Sequence, residues 1–257
     1  SDKVYGPDHT SPGIRLTNLA TLYQYMGHYA KAEPRYVRAL SISEKANGPE
    51  HPFTGSTLNN LAGLHRAMGQ YAKAEPLLRR TYLIARKAGQ PELLRKNQDS
   101  LRALYEQKGQ PDAAIFFGKQ AVNTLQSLRA NVAELGKDTL KSFDATIEGT
   151  YRDLSRLLIA EGRLLEAERV LELLKEQEQF QYVRRDAAVA PLSGRAPMTA
   201  FETAQDKLLG EAGAPLGALY AERSALEDKK VRTPKEEARL NIPVAEHDRA
   251  GQVFQQV

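Results

Sequence analysis

The sequence predicts an all-α protein built as an α-solenoid, and three observations predict this fold. The stretch Asn60–Pro76 repeats Asn18–Pro34, 42 residues earlier, with 12 of 17 positions identical, and a period of this length is typical of solenoids. Apolar residues of the second copy recur at the spacing of one helix face, at Leu58, Leu61, Ala62 and His65. Gly69 then ends this helix, and a second helix begins near Tyr71. Each repeat is therefore a helical hairpin.

The first hairpin is predicted over residues 14–47 and the second over residues 56–89. Residues 1–13 correspond to the end of a preceding repeat, because Gly6–His9 matches Gly48–His51 at the same offset of 42 residues. We expect the histidine that recurs in this loop to cap or pack it. A metal site is not expected there, since no second ligand recurs at ligand spacing.

A third hairpin follows at an offset of 40 residues and departs from the pattern. Arg102 stands at the small-residue position, Pro111 at the tyrosine position and Phe116 at the proline position. A fourth hairpin is indicated by an apolar stripe at Leu154, Leu157, Leu158, Gly162, Ala167, Leu171 and Leu174. Long helices that meet at a turn near Gly136 account for the additional residues between these hairpins.

These residues resemble the tetratricopeptide repeat. Its pattern is carried by Leu19, Ala20, Leu22, Gly27, Tyr29 and Ala32, and again by Leu61, Ala62, Leu64, Gly69, Tyr71 and Ala74. The 42-residue spacing with Ala-Glu-Pro resembles the kinesin-light-chain-like subtype. The resemblance implies a right-handed superhelix of helical hairpins, with a concave groove that holds a partner polypeptide or peptide.

Residues 110–186 also resemble the segment that precedes the CHAT domain in bacterial proteins that pair tetratricopeptide repeats with a caspase-like peptidase. The most distinctive parts are Leu173–Glu178 and Val183–Asp186. The resemblance implies that this chain is the recognition and regulatory part of such a peptidase, with the CHAT domain C-terminal to it. The chain has no cysteine, so the His–Cys dyad has no match here. A stand-alone adaptor without a peptidase is the alternative.

Three parts of the chain are predicted. Residues 1–182 form the repeat array of about four hairpins, residues 183–198 form a linker rich in proline, alanine and glycine, and residues 199–257 form a C-terminal helical connector or arm. Thr199 and Glu202 have the spacing of a capping box, which predicts that the arm opens with a helix at this point.

The charge balance is nearly even, with 36 Lys and Arg against 32 Asp and Glu, although the pI is about 9.1. A local excess lies between Arg79 and Gly109, where eight basic residues face three acidic ones. These basic residues scatter over helix ends and a loop, whereas a nucleic-acid interface needs them on one face with aromatic residues between them. A nucleic-acid-associated subunit is therefore the weaker alternative.

No apolar run is long enough to span a membrane, and the first residues lack the basic and apolar regions of a signal peptide. The absence of cysteine excludes a disulfide framework, a Cys-ligated metal and a thiol nucleophile within this chain. We therefore expect a cytoplasmic protein.

The groove is expected to be lined by first-helix residues that lie outside the apolar stripe. The candidates are Asn18, Thr21, Gln24, Tyr25, Asn59, Asn60, Arg66, Arg152 and Arg156. Asparagine amides can satisfy both the donor and the acceptor of a peptide backbone, and arginines can pair with carboxylates bidentately. In kinesin-light-chain-like repeats, asparagines that match Asn18 and Asn60 hold peptide backbone. The alternative is that these two asparagines join adjacent repeats or cap loops.

No catalytic residue, cofactor or metal site is expected. The acidic series Glu161, Glu166, Glu168, Glu172 and Glu176 alternates with basic residues, which indicates a salt-bridged exposed face. His65 occupies a position that other repeats fill with Tyr23 and Tyr105, so we expect it in the core. The sequence contains no glycine-rich phosphate loop.

Overall fold

The computed structural model describes residues 12–132, 137–183 and 194–211, together with positions 233, 234 and 237. Its helices are α1 (Pro12–Tyr25), α2 (Tyr29–Asn47), α3 (Pro52–Ala67), α4 (Tyr71–Lys87), α5 (Pro91–Gln107), α6 (Pro111–Val132), α7 (Lys137–Ala160) and α8 (Leu164–Val183), followed by α9 (200–211). All regular secondary structure in these residues is helical, which confirms the predicted class. In this part of the chain, no helix combines the length and apolarity that crossing a membrane requires.

Each hairpin turns at a glycine with a left-handed backbone. A positive φ is found at Gly27, Gly69, Gly109 and Gly162, with values of 75°, 71°, 70° and 70°, a region that residues with a Cβ rarely adopt. After α3, the Gly69 amide donates to the Arg66 carbonyl at 3.0 Å and the Gln70 amide donates to the His65 carbonyl at 2.8 Å. These bonds satisfy carbonyls at the end of the helix, and the helix end predicted at Gly69 is confirmed.

The chain divides into two compact units. Among the described residues, unit 1 comprises residues 12–89 with α1–α4 and positions 233, 234 and 237, and unit 2 comprises residues 90–132, 137–183 and 194–211 with α5–α9. Within unit 1 α2 packs on α3, and within unit 2 α6 packs on α7, so that in each unit one hairpin stacks on the other. Consecutive packing of hairpins is the arrangement of an α-solenoid, as predicted.

Small side chains allow the helices of unit 1 to approach closely. Its core cluster consists of Ala20, Ala32, Tyr36, Leu61 and Leu64. Ala20 and Ala32 have no exposed area, and they leave room for Leu61 and Leu64 of the following hairpin. The two hairpins of unit 1 therefore share an apolar core.

The same two leucine positions are exposed one repeat earlier. Leu19 is 38% exposed and Leu22 is 55% exposed, whereas Leu61 and Leu64 are 4% and 0% exposed. The repeat pattern predicts burial in both copies, so the prediction is wrong for α1. The physical reason is that Leu61 and Leu64 are covered by a preceding hairpin, and within the described residues no helix precedes α1.

In unit 2, α5 has a large residue at the position where the repeat pattern has a small one. Arg102 stands where α3 has Ala62, and Gly118 of α6 stands where α4 has Leu78. A Cβ on Gly118 would lie 3.0 Å from Cδ1 of Leu154 and 3.4 Å from Cδ of Arg102. The glycine therefore avoids a tight contact with Leu154 and leaves room beside the stem of the buried arginine.

Part of the predicted organisation falls outside the described residues. This holds for the loop before α1, the turn near Gly136, residues 184–193 of the linker and the arm from residue 212, apart from the three isolated positions. The predicted capping box of Thr199 and Glu202 lies within the described residues and is confirmed. The Thr199 amide donates to Oε2 of Glu202 at 2.7 Å, and the Glu202 amide donates to Oγ1 of Thr199 at 3.1 Å. The boundaries of the array, linker and arm stay predictions.

Candidate functional site

The first-helix face of unit 1 carries two asparagines at equivalent positions. Asn18 lies on α1 and Asn60 lies on α3, 42 residues later, and the two helices contact each other. Asn18 is exposed and Asn60 is half-buried. Within the described residues, neither side-chain amide has a hydrogen-bond partner. Both amides can therefore meet a donor and an acceptor from a ligand.

Beside these asparagines, α1 presents Thr21 and Gln24, and both are held by Tyr36 of α2. Oγ1 of Thr21 lies 2.8 Å from the Tyr36 hydroxyl, which donates to Oε1 of Gln24 at 3.0 Å. Burial raises the pKa of the Tyr36 hydroxyl, although the bond to Thr21 opposes this shift, so the hydroxyl stays a donor at neutral pH. Nε2 of Gln24 lies 4.0 Å from the place that a Cβ on Gly63 would take.

The other unit 1 candidates differ in accessibility. Tyr25 at the end of α1 is 87% exposed, so its ring is free to cover an apolar ligand group. Asn59 and Arg66 on α3 are half-buried and already interact with neighbouring groups. The structure thus places seven of the nine predicted residues on α1 and α3. Four of these seven already interact with neighbouring groups: Thr21, Gln24, Asn59 and Arg66.

The corresponding face of unit 2 is filled by ion pairs between α5 and α7. Nη2 of Arg102 donates to Oδ2 of Asp153 at 2.6 Å, and Nη1 donates to Oε2 of Glu106 at 3.0 Å. Arg156 extends this chain, because its Nη2 donates to Oε1 of Glu106 at 2.6 Å. Arg102 departs from the repeat pattern, and its role is to join the two first helices.

Asp99 lies beside this network and is half-buried. It accepts hydrogen bonds from Nη1 of Arg95 at 2.9 Å and from Oγ1 of Thr150 at 3.1 Å. Burial raises the pKa of the Asp99 carboxyl, while Arg95 and Arg102 oppose this shift. The carboxylate therefore bears a desolvation cost that its two cationic neighbours only partly offset.

The two remaining candidates, Arg152 and Arg156, lie on α7 and are both paired. Arg152 contacts Glu148 and keeps 69% of its side chain exposed, and Arg156 contacts Glu106 with 55% exposed. A ligand carboxylate would have to compete with these neighbours for either guanidinium group. Exposed ion pairs are weak, so this competition is possible, but neither cation is free in advance.

The basic stretch that begins at residue 79 is also used in ion pairs. In unit 1 the pairs are Arg79–Glu75, Arg80–Glu44 and Lys87–Glu50, and in unit 2 Arg95 and Arg102 contact the carboxylates described above. A nucleic-acid interface needs cations that are available on one face. These pairs disfavour the nucleic-acid alternative.

Sequence reasoning missed a buried charge cluster in unit 2. Lys119 on α6 has no exposed area, and its Nζ lies 2.7 Å from Oε2 of Glu202 and also contacts Glu166. Arg163 donates to Oε1 of Glu202 at 3.1 Å. Desolvation works against both carboxylates, but hydrogen bonds from the two cations outweigh it and lower the pKa of each. The available signal was a lone lysine within the apolar run Ala113–Val122.

Helix α6 also holds the segment that leads into α9. Nδ2 of Asn123 donates to the Ala196 carbonyl at 3.2 Å, and the Ala196 amide donates to Oδ1 of Asn123 at 2.8 Å. Nε2 of Gln120 donates to Oδ1 of Asp206 at 2.9 Å. Residues 194–211 are thereby fixed to α6 by polar side chains from successive turns.

The acidic series and the histidines behave largely as predicted. On α8, Arg169 pairs with Glu172 at 2.8 Å and lies 3.9 Å from Glu176, which confirms a salt-bridged surface, whereas Glu166 belongs to the buried cluster. His65 is buried, and its Nδ1 lies 3.0 Å from Oε1 of Gln70. His51 caps α3 by accepting the Phe53 amide at 3.2 Å, as expected for this loop.

Comparison with known proteins agrees with this geometry. The family model described as tetratricopeptide repeat matches residues 14–87 and, in a second overlapping match, residues 53–127. A sequence comparison with curated proteins finds no match.

Among solved structures, the chain is similar to the crystal structure of BtubC (BKLC) from P. vanneervenii. The TM-score is 0.54 at 19% sequence identity, and the match covers 75% of this chain and 73% of that chain. At this identity the likeness concerns the fold alone. The kinesin-light-chain-like subtype stays a prediction from the period and the Ala-Glu-Pro motif.

Proposed function

Because residues 14–127 consist of tetratricopeptide repeats, we propose that the chain is a protein-interaction scaffold that binds a partner polypeptide along the first-helix face of unit 1. Such repeats generally mediate protein–protein interaction, and stacked hairpins present extended binding surfaces. The fold is typically a non-catalytic scaffold. The proposed ligand is a peptide segment whose backbone is held by side-chain amides.

The observation that carries this proposal is the state of Asn18 and Asn60. Equivalent asparagines that joined adjacent repeats would donate to or accept from a neighbouring helix, and neither amide does so among the described residues. Thr21 and Gln24 beside them are anchored by Tyr36, so this edge of the surface is ordered before a ligand arrives. A pre-ordered site loses less conformational freedom on binding.

The test is to pan a display library of random 12-residue peptides against the full chain and measure the affinity of the selected peptides by calorimetry. The double variant N18A/N60A is expected to lose at least about ten-fold in affinity, since two bidentate amides are removed, each worth roughly 1 kcal/mol. The matched control is Asn47→Ala, because Asn47 is an exposed asparagine at the end of α2. Equal binding by wild type and N18A/N60A would remove the proposal, and unchanged helical circular dichroism excludes misfolding.

We further propose that the scaffold is the recognition part of a CHAT caspase-like peptidase of a bacterial cytoplasm. Support comes from the resemblance of residues 110–186 to the segment that precedes the CHAT domain, and the absence of cysteine from this chain agrees with a reducing compartment. Extending the reading frame beyond Val257 is expected to show a caspase-like strand pattern with a histidine and a cysteine. A frame that ends without them favours the stand-alone adaptor instead.

A further inference from the structure

Residues 194–211 occupy a face of α6 and the start of α8 that has the features of a peptide-binding site. One side-chain amide, that of Asn123, bonds both the amide and the carbonyl of Ala196, which is how an asparagine grips the backbone of a peptide. Ala196 is only 2% exposed, so the site admits a small side chain at this position. Nothing in this contact requires that the held backbone belong to the same molecule.

The second feature is a carboxylate pocket. Six residues after Ala196, Glu202 places both its oxygens within 3.1 Å of the Lys119 ammonium, at 3.1 Å and 2.7 Å, and Arg163 adds a third bond. Lys119 has no exposed area. A buried ammonium group is costly unless carboxylates surround it, so the site selects an acidic residue at this point of the bound segment.

The third feature is that few apolar groups hold the segment. Ala196 and Leu209 are buried, whereas Phe201 and Leu208 remain 58% and 38% exposed. The other buried side chains of the segment are polar, Glu202 and Gln205. Ordering the residues of the segment costs conformational entropy, which two buried apolar side chains do not offset. Attachment therefore depends on hydrogen bonds and ion pairs, as in interfaces that form and separate.

We propose that residues 194–211 are a releasable strap that occupies a peptide-binding site on α6 and α8. The site takes a segment of the same chemistry from another chain: a small residue on Asn123, then a glutamate six residues later that starts a helix and enters the pocket of Lys119 and Arg163. The strap blocks this site in the resting protein. The site uses second helices of unit 2, so it is independent of the first-helix face of unit 1.

The experiment uses the full chain and, as probe, a fluorescent synthetic peptide of residues 194–211. In Glu202→Gln the strap loses the negative charge that pairs with Lys119, but it keeps a side chain that supports the capping box. This variant is expected to bind the peptide at least ten-fold more tightly than wild type, whose site is occupied. The double variant K119M/E202Q is expected to lose this gain, and methionine preserves the volume of the lysine stem.

The control is Glu211→Gln, which removes the same charge from α9 at an exposed position, 62% accessible and 3.9 Å from Lys207. It is expected to bind the probe as wild type does. Hydrogen exchange of amides in residues 202–211 gives an independent measure of opening, expected to be at least ten-fold faster in E202Q.

Each other outcome overturns the proposal. Unchanged exchange and binding in E202Q show that the strap is a permanent part of unit 2. Faster exchange without peptide binding shows that it opens but uncovers no site. Binding that survives in K119M/E202Q shows that the peptide attaches elsewhere.

Discussion

The first-helix faces of the two units use equivalent repeat positions with opposite results. In unit 1, Asn18 and Asn60 have no hydrogen-bond partner among the described residues, whereas Asp153 at the equivalent position of α7 is bonded to Arg102. An amide surface of the first kind accepts a ligand without losing an existing bond. An ion-paired surface must first give one up, and that cost offsets part of the binding free energy.

The difference originates one layer below, where a large residue and a small one have exchanged places. Unit 1 combines Ala62 with Leu78, and unit 2 combines Arg102 with Gly118. A Cβ at residue 118 would lie 3.0 Å from Leu154 and 3.4 Å from the arginine, so the glycine leaves room for both side chains. The exchange of a large and a small core residue thus decides whether the first-helix face above them stays neutral or is filled by ion pairs. Repeat units of one fold can acquire different functions in this way.

The largest expected effect comes from placing the unit 2 residue in unit 1. Ala62→Arg should lower the free energy of unfolding by about 4 kcal/mol, because a charge enters a filled core without a partner. Adding Leu78→Ala makes room and should recover roughly 1–3 kcal/mol relative to the sum of the single changes. Urea denaturation of the wild type, the two single variants and the double variant, followed by circular dichroism, gives the interaction free energy of this double-mutant cycle.

Ala62→Ser is the matched control for this cycle, since α7 has Ser155 at the equivalent buried position. It should cost less than about 1 kcal/mol. If the losses from Ala62→Arg and Leu78→Ala simply add, the exchange of volumes does not explain the difference between the units.

A somewhat smaller effect is expected when the ion pairs between α5 and α7 of unit 2 are removed. Arg102→Ala removes the hydrogen bonds to Asp153 and Glu106 and one cation beside the half-buried Asp99, and should cost about 2 kcal/mol. Arg152→Ala removes an exposed arginine from the same face and should cost less than about 0.5 kcal/mol. Equal losses of unfolding free energy in urea denaturation would mean that these ion pairs contribute no more than an ordinary surface pair.

The smallest effect is a local response of unit 2 to acid. Desolvation of Glu202 and Glu166 is outweighed by bonds from Lys119 and Arg163, so both carboxyls have a lowered pKa. Their stabilising contribution is complete above the ordinary glutamate pKa of about 4.3 and is lost as the pH falls through the lowered values. We therefore expect α9 to detach in acid.

The carboxyl of Asp99 should respond in the opposite direction, because burial raises its pKa. Its contribution is complete below the ordinary aspartate value and is lost as the pH rises through the raised one. In an acid titration from pH 7 to about pH 2, amide NMR signals of α5 are expected to move first, because the raised pKa of Asp99 is reached first. Signals of residues 202–211 are expected to follow below the ordinary glutamate pKa. Simultaneous loss of both sets of signals would contradict a local response.

Much of the fold followed from patterns within a few residues. The hairpin period, the glycine that ends α3 and the capping box of Thr199 and Glu202 each depend on backbone and side-chain geometry over three or four positions. Such geometry is the same wherever the segment lies. For that reason these elements were predicted correctly.

The candidate surface was only partly accessible to the same reasoning. The repeat register located Asn18 and Asn60, but it could not show that their amides lack partners in the described structure. It also treated Arg156 as an available cation, whereas Glu106 of another helix binds it. Whether a polar group is free depends on what stands opposite, and the repeat pattern carries no information on that.

The amino-acid sequence by itself determined that this protein is a stack of helical hairpins, because helix periodicity and turn chemistry are local. Only the tertiary structure decided that Leu19 is exposed while Leu61 is buried, and that Lys119 meets Glu202, 83 residues away. Burial and charge pairing arise between segments distant in sequence. Their free energies depend on the solvent and the partners that folding brings to each side chain.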